Sequence, residues 1–300
     1  MIAIVIPYYR ISFFEETLES LANQVDKRFK VYIGNDASPD DPSNLLLKYN
    51  DHFNFEYYKF DENLGRISLT KQWERCIGLI EDEEWIMVLG DDDVLADNVV
   101  KDFYANLEKI NENGINVVRF ATKEINEKEN SISQLYKHPE FENPLDFLIR
   151  KLKWQTRSSL SEYIFRKEAF LKYKFHSYPS AFYSDDKAWI DFSEDKPIFT
   201  INTSAISIRI SDQSISGKAK ISDQLKAEYL YVKGFYENKL AYFSLKDKLY
   251  ILKRMEYFIY SKYETGRMSK LILYINYWKS FNVFELLKYH KRLINRFFNK

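Results

Sequence analysis

Apolar and polar positions follow one another along the first 120 residues in a pattern that sets the order of elements. Ile2-Ala-Ile-Val-Ile6 is an unbroken apolar run stopped by Pro7 and reads as a buried strand. Phe14, Leu18, Leu21, Ala22 and Val25 then recur at helical intervals, with Ser12 and Glu15 ahead of them at capping-box spacing. Phe29 to Gly34 forms a second strand that runs into the polar segment Asn35 to Pro42; its prolines stop regular structure, and Ser43 is placed to cap a further helix. Residues 54–60 alternate as a third strand, and Asn63-Leu-Gly65 makes a turn. A helix over Ser68–Glu81 then gathers Leu69, Trp73, Ile77 and Ile80 on one face. Trp85 to Gly90 is a fourth strand, broken off by Asp91-Asp92-Asp93. Asp97 can cap a helix carrying Val100, Phe103, Leu107 and Ile110, and Ile115 to Phe120 returns as a strand.

The second half is less regular. Residues 122–143 are polar and read as a loop or irregular hairpin, followed by a short helix at 144–151, a strand at 162–166 and a helix at 187–193. Residues 198–201 and 206–210 predict two late strands, and from about 220 the pattern is helical to the end. Strands alternating with helices of this length predict βαβ units: an α/β fold with a mostly parallel sheet flanked by helices, plus a C-terminal helical region. Ligands of such sheets lie beyond the carboxyl ends of the strands. Segments 7–10, 35–41 and 90–93 each follow a strand directly, so they are expected to converge on one crevice.

A chain of 300 residues with 45% hydrophobic content has enough apolar material for one large domain with an appendage. The net charge is zero, which argues neither for nor against nucleic acid, but residues 246–300 hold thirteen Lys and Arg against four Asp and Glu. A single cysteine, Cys76, excludes an internal disulfide framework and reads as a small buried apolar residue in a reducing compartment. The N-terminus has no basic leader, and no window has the ~18 apolar residues a bilayer span needs, so a soluble or peripheral protein is expected.

Three adjacent aspartates raise one another's pKa unless something neutralises them. A hard divalent cation, Mn2+ or Mg2+, does so through carboxylate oxygens and shares its coordination with substrate phosphates. The competing reading is a solvated acidic turn in which one Asp caps the next helix. Tyr178 to Trp189 forms a second acidic segment around Asp185 and Asp186, with aromatic neighbours Phe182, Tyr183 and Trp189. His52, His138, His176 and His290 show no ligand spacing and read as surface or packing residues.

Taken in order, Ile4-Val-Ile-Pro-Tyr-Tyr-Arg10, Gly34 to Asp40, Asn63-Leu-Gly65, Val88 to Asp93 and Ser184-Asp-Asp186 resemble the family 2 glycosyltransferases of the GT-A fold. The resemblance spans residues 1–216, which it makes the catalytic domain, leaving 217–300 as a helical, basic-aromatic region. It implies an inverting transfer from a nucleoside diphosphate sugar, usually UDP-linked, with Pro7, Tyr8, Tyr9 and Arg10 along the nucleotide and Asp36 on the base. Asp36 also has a plainer reading as a turn residue. The resemblance places the acidic metal motif at Asp91 to Asp93. An Asp-X-Asp reading makes Asp91 and Asp93 the metal ligands, with Asp92 near the donor. The Asp-Ser-Asp-Asp form instead puts Gly90 at the first acidic position and Asp92 and Asp93 last. Asp93 is a ligand either way.

For the base that takes the acceptor proton, the resemblance points to Asp185-Asp186. Spacing to Trp189 favours Asp185, a match to the family's Glu-Asp favours Asp186, and Asp185 is preferred; one of the two can cap the following helix. The aromatic neighbours would raise its pKa and form a sugar-binding wall. Arg209, with Ser211, Ser214 and Ser216, resembles a late phosphate-contacting segment, although Ser211 stands where many members carry a metal-binding His. Arg66 either approaches the donor phosphates or is an ordinary helix-start residue.

The implied partners are the nucleotide-sugar donor and a saccharide or lipid-linked acceptor, as in bacterial surface polysaccharide synthesis, with no nucleic acid. A cytoplasmic location follows, peripheral to the membrane if the basic tail lies on anionic lipid; otherwise the tail packs over the catalytic domain. The rival reading is a sugar-nucleotide or glycan-binding module without turnover. Neither a Gly-rich phosphate loop nor G-x-G-x-x-G follows the first strand, which argues against a nucleotidyltransferase and a dinucleotide oxidoreductase.

Overall fold

Strand β1 (Ile2–Tyr8) lies between β2 (Phe29–Asn35) and β4 (Trp85–Val88), parallel to both, and β3 (Phe55–Lys59) extends this parallel group beyond β2. Covered on both faces, Ile2 to Ile6 are all buried, as a near-continuous apolar strand requires. Each such Ile or Val contributes about 1.5–3 kcal/mol through burial. The computed structural model describes residues 1–211, 220–261, 263, 266–281 and 283–298. It divides the chain into two compact units, Met1–Lys220 and Ile221–Lys300.

Helices α1 (Phe14–Ala22), α2 (Ser43–Leu47) and α3 (Leu69–Ile77) connect the parallel strands. The N-cap position of α1 is Phe13, whose side chain makes no capping bond. At α2 the N-cap is Pro42, and the Ser43 hydroxyl donates to Asp41 instead. Ser68 does cap α3, accepting from Lys71 N at 3.4 Å. Cys76 on α3 is buried beneath Gly34, where an added Cβ would meet its Sγ at 2.3 Å. Burial pushes the thiol up to about 12, so it stays protonated and packs as an apolar group.

After β4 come the short β5 (Val94–Leu95), α4 (Val99–Ala105) and α5 (Leu107–Glu112), two helices broken at Asn106 where the periodicity predicts one. Next are β6 (Val117–Asn126), β7 (Ser131–Ile132), β8 (Phe141–Glu142), α6 (Pro144–Leu152), β9 (Tyr163–Arg166) and α7 (Lys167–Tyr173). The first unit ends with α8 (Ser184–Phe192) and β10 (Ile198–Ile210). The expected strands 198–201 and 206–210 are thus one strand with a register shift between Ile201 and Ala205. The sheet order is β3-β2-β1-β4-β9-β6-β10-β5. Long ladders are parallel; the antiparallel pairs, such as β4 with β9 and β9 with β6, span two or three residues each.

The second unit is a group of helices, α9 (Ile221–Asn238), α10 (Leu245–Tyr260), α11 (Arg267–Ser280) and α12 (Val283–Phe298). Its centre is polar as well as aromatic: buried Glu256 accepts from Tyr277 Oη and from the guanidinium of Arg292, and Tyr277 stacks on Tyr289 at 4.5 Å. No helix among the described residues is long and apolar enough to cross a membrane.

Candidate active site

The loops after β1, β2 and β4 are joined by direct hydrogen bonds. Asp91 Oδ2 accepts from the backbone N–H groups of Tyr9 at 2.7 Å and Arg10 at 2.8 Å. Ser38 Oγ donates to Tyr9 O at 2.6 Å, and Asp36 N donates to Tyr8 O. Three polar segments far apart in sequence therefore meet at the carboxyl edge of the parallel strands. Within them, Pro7, Tyr9 and Arg10 are half-buried. Tyr8 is fully buried: its ring packs against Phe14 and its hydroxyl donates to Asp40 O.

Within the acidic turn each aspartate has a different job. Asp91 braces the first loop through Oδ2. Asp93 is buried; its Oδ2 accepts from Ser161 Oγ at 2.5 Å and its Oδ1 from Arg209 N at 2.9 Å. Burial holds Asp91 at about 6, and burial with the charges of Asp93 and Asp91 lifts Asp92 to about 8. Asp93 is raised too, by burial, against the pull of Ser161 and Arg209. Gly90 makes this crowding feasible, because a Cβ there would meet Asp93 Oδ2 at 2.9 Å and Asp92 Oδ1 at 3.1 Å.

Arg209 is buried at the end of β10, where its guanidinium reaches Glu16, Glu127 and Asp92 O and lies 4.1 Å over the Phe13 ring. Its charge opposes the rise in the pKa of Asp92 and Asp93. Ser211 is buried nearby in sequence, whereas Ser214 and Ser216 lie outside the described residues. Arg66 is exposed at the start of the segment leading into α3, its N–H donating to Asn63 Oδ1.

Asp36 is almost fully enclosed. Its oxygens accept from Leu64 N at 2.7 Å, Gly65 N at 2.8 Å and Arg75 Nη2 at 2.6 Å. Burial raises its pKa while these donors oppose the rise. A Cβ on Gly65 would meet Asp36 Oδ2 at 2.5 Å, so the glycine is what lets the turn close on the carboxylate. The plainer reading of Asp36, a carboxylate satisfying backbone N–H groups, describes these bonds, although its partners are distant in sequence.

The second acidic pair opens α8. Asp186 is buried, with Lys151 Nζ of α6 at 3.5 Å from its Oδ2 and with Oδ1 lacking any hydrogen-bond partner. Asp185 is half-buried; burial and the neighbouring Asp186 charge raise it to about 7. Ser180, Ala181 and Tyr183, just ahead, have φ of 51°, 56° and 63°, left-handed values costing about 1–2 kcal/mol each for L-residues. Trp189 does not line a sugar site: it is fully buried and stacks on Tyr163 at 4.2 Å, so it supports the helix from beneath. Phe182 and Tyr183 remain half-exposed.

Two residues that hold the acidic groups carry no motif. Lys151 Nζ also reaches Ser158 O, and Ser161 accepts from Gly90 N at 2.9 Å while donating to Asp93. Segment 158–161 therefore joins the doublet's partner to the acidic turn. Among the described residues no three His, Cys, Asp or Glu side chains are arranged to enclose a metal ion. The donor set nevertheless fits a cation held in part by phosphates: Asp92, raised by its neighbours, gains from neutralisation, and Asp93 lies beside it.

A sequence model described as glycosyl transferase family 2 matches residues 3–177, more than half of the chain. The chain belongs to glycosyltransferase family 2 and is a glycosyltransferase. Among solved structures it is similar to Staphylococcus aureus TarS 1–349 in complex with UDP-GlcNAc, at 17% identity and a TM-score of 0.64, over 89% of this chain and 74% of that one. It is similar also to TarS 1–349 in complex with UDP, at 16% identity and a TM-score of 0.57, over 86% of this chain and 80% of that one. Against the longer TarS structure, at 17% identity and a TM-score of 0.60, it covers 89% of this chain and 44% of that one. These likenesses show the fold. No curated protein matches the chain in sequence.

Proposed function

We propose that this enzyme moves a sugar from a UDP-linked donor to a hydroxyl of a saccharide or lipid-linked saccharide acceptor, with inversion at the anomeric carbon. The reading rests on the family, on UDP and UDP-GlcNAc in the similar TarS structures, and chiefly on one observation. The loops after β1, β2 and β4 are hydrogen-bonded to one another at the carboxyl edge of the parallel strands, with Asp92 half-buried among them.

Asp185 is the base. With a pKa of about 7 it is deprotonated in a large fraction at neutral pH yet basic enough to take a hydroxyl proton. As the acceptor O–H gives up its proton to Asp185, the acceptor oxygen bonds the anomeric carbon. The bond from that carbon to the diphosphate breaks, and UDP leaves with the electron pair. Asp92 and Asp93 would hold Mn2+ or Mg2+, which when bound supplies positive charge to the departing diphosphate. Arg10 lies along the donor, with its backbone fixed by Asp91. Synthesis of a bacterial surface polysaccharide, in the cytoplasm, is the setting this chemistry suits.

The test is a screen of UDP-, GDP- and dTDP-sugars for thermal stabilisation with and without Mn2+, followed by assay of nucleoside diphosphate release and product anomer. Stabilisation by UDP-sugars with release of UDP supports the proposal. Binding without release in the presence of acceptor glycans would instead favour a binding module.

A further inference from the structure

Helices α11 and α12 each leave a row of large apolar side chains exposed. On α11, Leu271, Tyr274 and Trp278 share one face by helical spacing, and Leu271 and Trp278 are 51% and 65% exposed. On α12, Phe284, Leu287 and Ile294 are also exposed, Phe284 and Leu287 at 64% and 60%. The two helices are fixed together by the Tyr277–Tyr289 stack and by Arg292 Nη2 donating to Tyr277 Oη at 3.1 Å. Large exposed side chains grouped in this way mark an interaction surface.

Charge identifies the occupant. Between Arg267 and Phe298 the sequence has seven Lys or Arg and one acidic residue, Glu285. Arg292 and Arg296 turn inward to Glu256, while Arg267, Lys270, Lys279, Lys288 and Lys291 are exposed. Lys270 and Lys279 are one residue step, about 100°, to either side of the Leu271 and Trp278 line. Long basic side chains there can extend to headgroups while the apolar line enters the acyl boundary. A second copy of this face would bring like charges together, and a nucleic acid would leave Leu271, Trp278 and Leu287 without partners.

We infer that the outer face of α11 and α12 is an interfacial binding surface for anionic phospholipid bilayers. The helices lie in the headgroup plane and do not span. This attachment is independent of the transfer chemistry and stands or falls without it.

The experiment is co-sedimentation of the full chain with vesicles of phosphatidylcholine alone and of phosphatidylcholine mixed with phosphatidylglycerol. Preferential pelleting with the anionic vesicles, weakened by added salt, is expected. Lys270→Glu and Lys279→Glu should each weaken partition by roughly fivefold, and Leu271→Glu with Trp278→Glu should abolish it. UDP-sugar binding by the same variants checks that the first unit is intact, and circular dichroism checks the helices. The salt series on the unaltered chain needs no variant. Equal pelleting with both vesicles, no pelleting, or variants that pellet like the unaltered chain would overturn the inference. So would light scattering in which Trp278→Glu dissociates a dimer of a chain that ignores vesicles.

Discussion

Lys151 Nζ lies 3.5 Å from Asp186 Oδ2, with both side chains largely withdrawn from solvent, while Asp185 beside them stays half-exposed and raised to about 7. Asp186 is thus the buried, ion-paired member of the doublet, and Asp185 the half-exposed one proposed as the base. Asp185→Asn should lower turnover by about 10²–10⁴-fold with donor affinity retained. Asp186→Asn should chiefly destabilise the fold. Lys151→Met, which strands a buried charge, should cost about 2–4 kcal/mol. Kinetics with donor titration, together with urea unfolding, separates the three.

The pH profile follows from the same pair. A base works deprotonated, so kcat/KM should rise with pH, bend near 7 and flatten above. Because Lys151 lowers the pKa of Asp185, Lys151→Met should move the bend to higher pH. A bend unmoved by Lys151→Met would separate the pair.

Stability should respond in the opposite sense. Asp185 and buried Glu162, each held at about 7 in the folded chain, have ordinary values near 4 when unfolded. Between those values the native state binds more protons, so their contribution is full below about pH 4 and is lost as pH rises through about 7. Urea midpoints without ligand should fall over that window. Glu162→Gln should flatten the fall.

Gly65→Ala should push Asp36 off the turn. The 2.5 Å approach cannot be relieved by a flexible end, since the carboxylate is also held by Leu64 N and Arg75. A loss of about 1–3 kcal/mol is expected, with weaker UDP binding by calorimetry.

Ser161→Ala should leave Asp93 Oδ2 and Gly90 N without their shared partner, at a cost of about 1–3 kcal/mol. The concentration of Mn2+ needed for half-maximal activity should change with it.

The buried apolar runs of β1, β2 and β4 were legible because a strand covered on both faces needs little but apolar side chains. The convergence of their loops followed from the direction of those strands. The course of β10 did not: Asn202-Thr203-Ser204 has the composition of a turn, yet the strand continues through it by a register shift. Helix α7 was missed because Lys167 to Tyr173 is short and mixed in pattern. Within the acidic turn, residue type alone cannot separate three aspartates. Asp91 became a brace, and Asp93 a partner of Ser161, through residues 81–82 and 68 positions away. The burial of Tyr8 and Trp189 is not legible, because an aromatic beside a loop looks the same in sequence whether it turns in or out.

The neutralising clasp of Arg209 has one more consequence. The segment matched to the family ends at residue 177, yet the guanidinium behind the acidic turn and the carboxylate proposed to accept the proton both lie after it. A chain cut at that border would keep the nucleotide loops but lose their counter-charge and their chemistry together. On the proposed chemistry, the smallest autonomous catalyst carved from this protein retains β10 through Arg209.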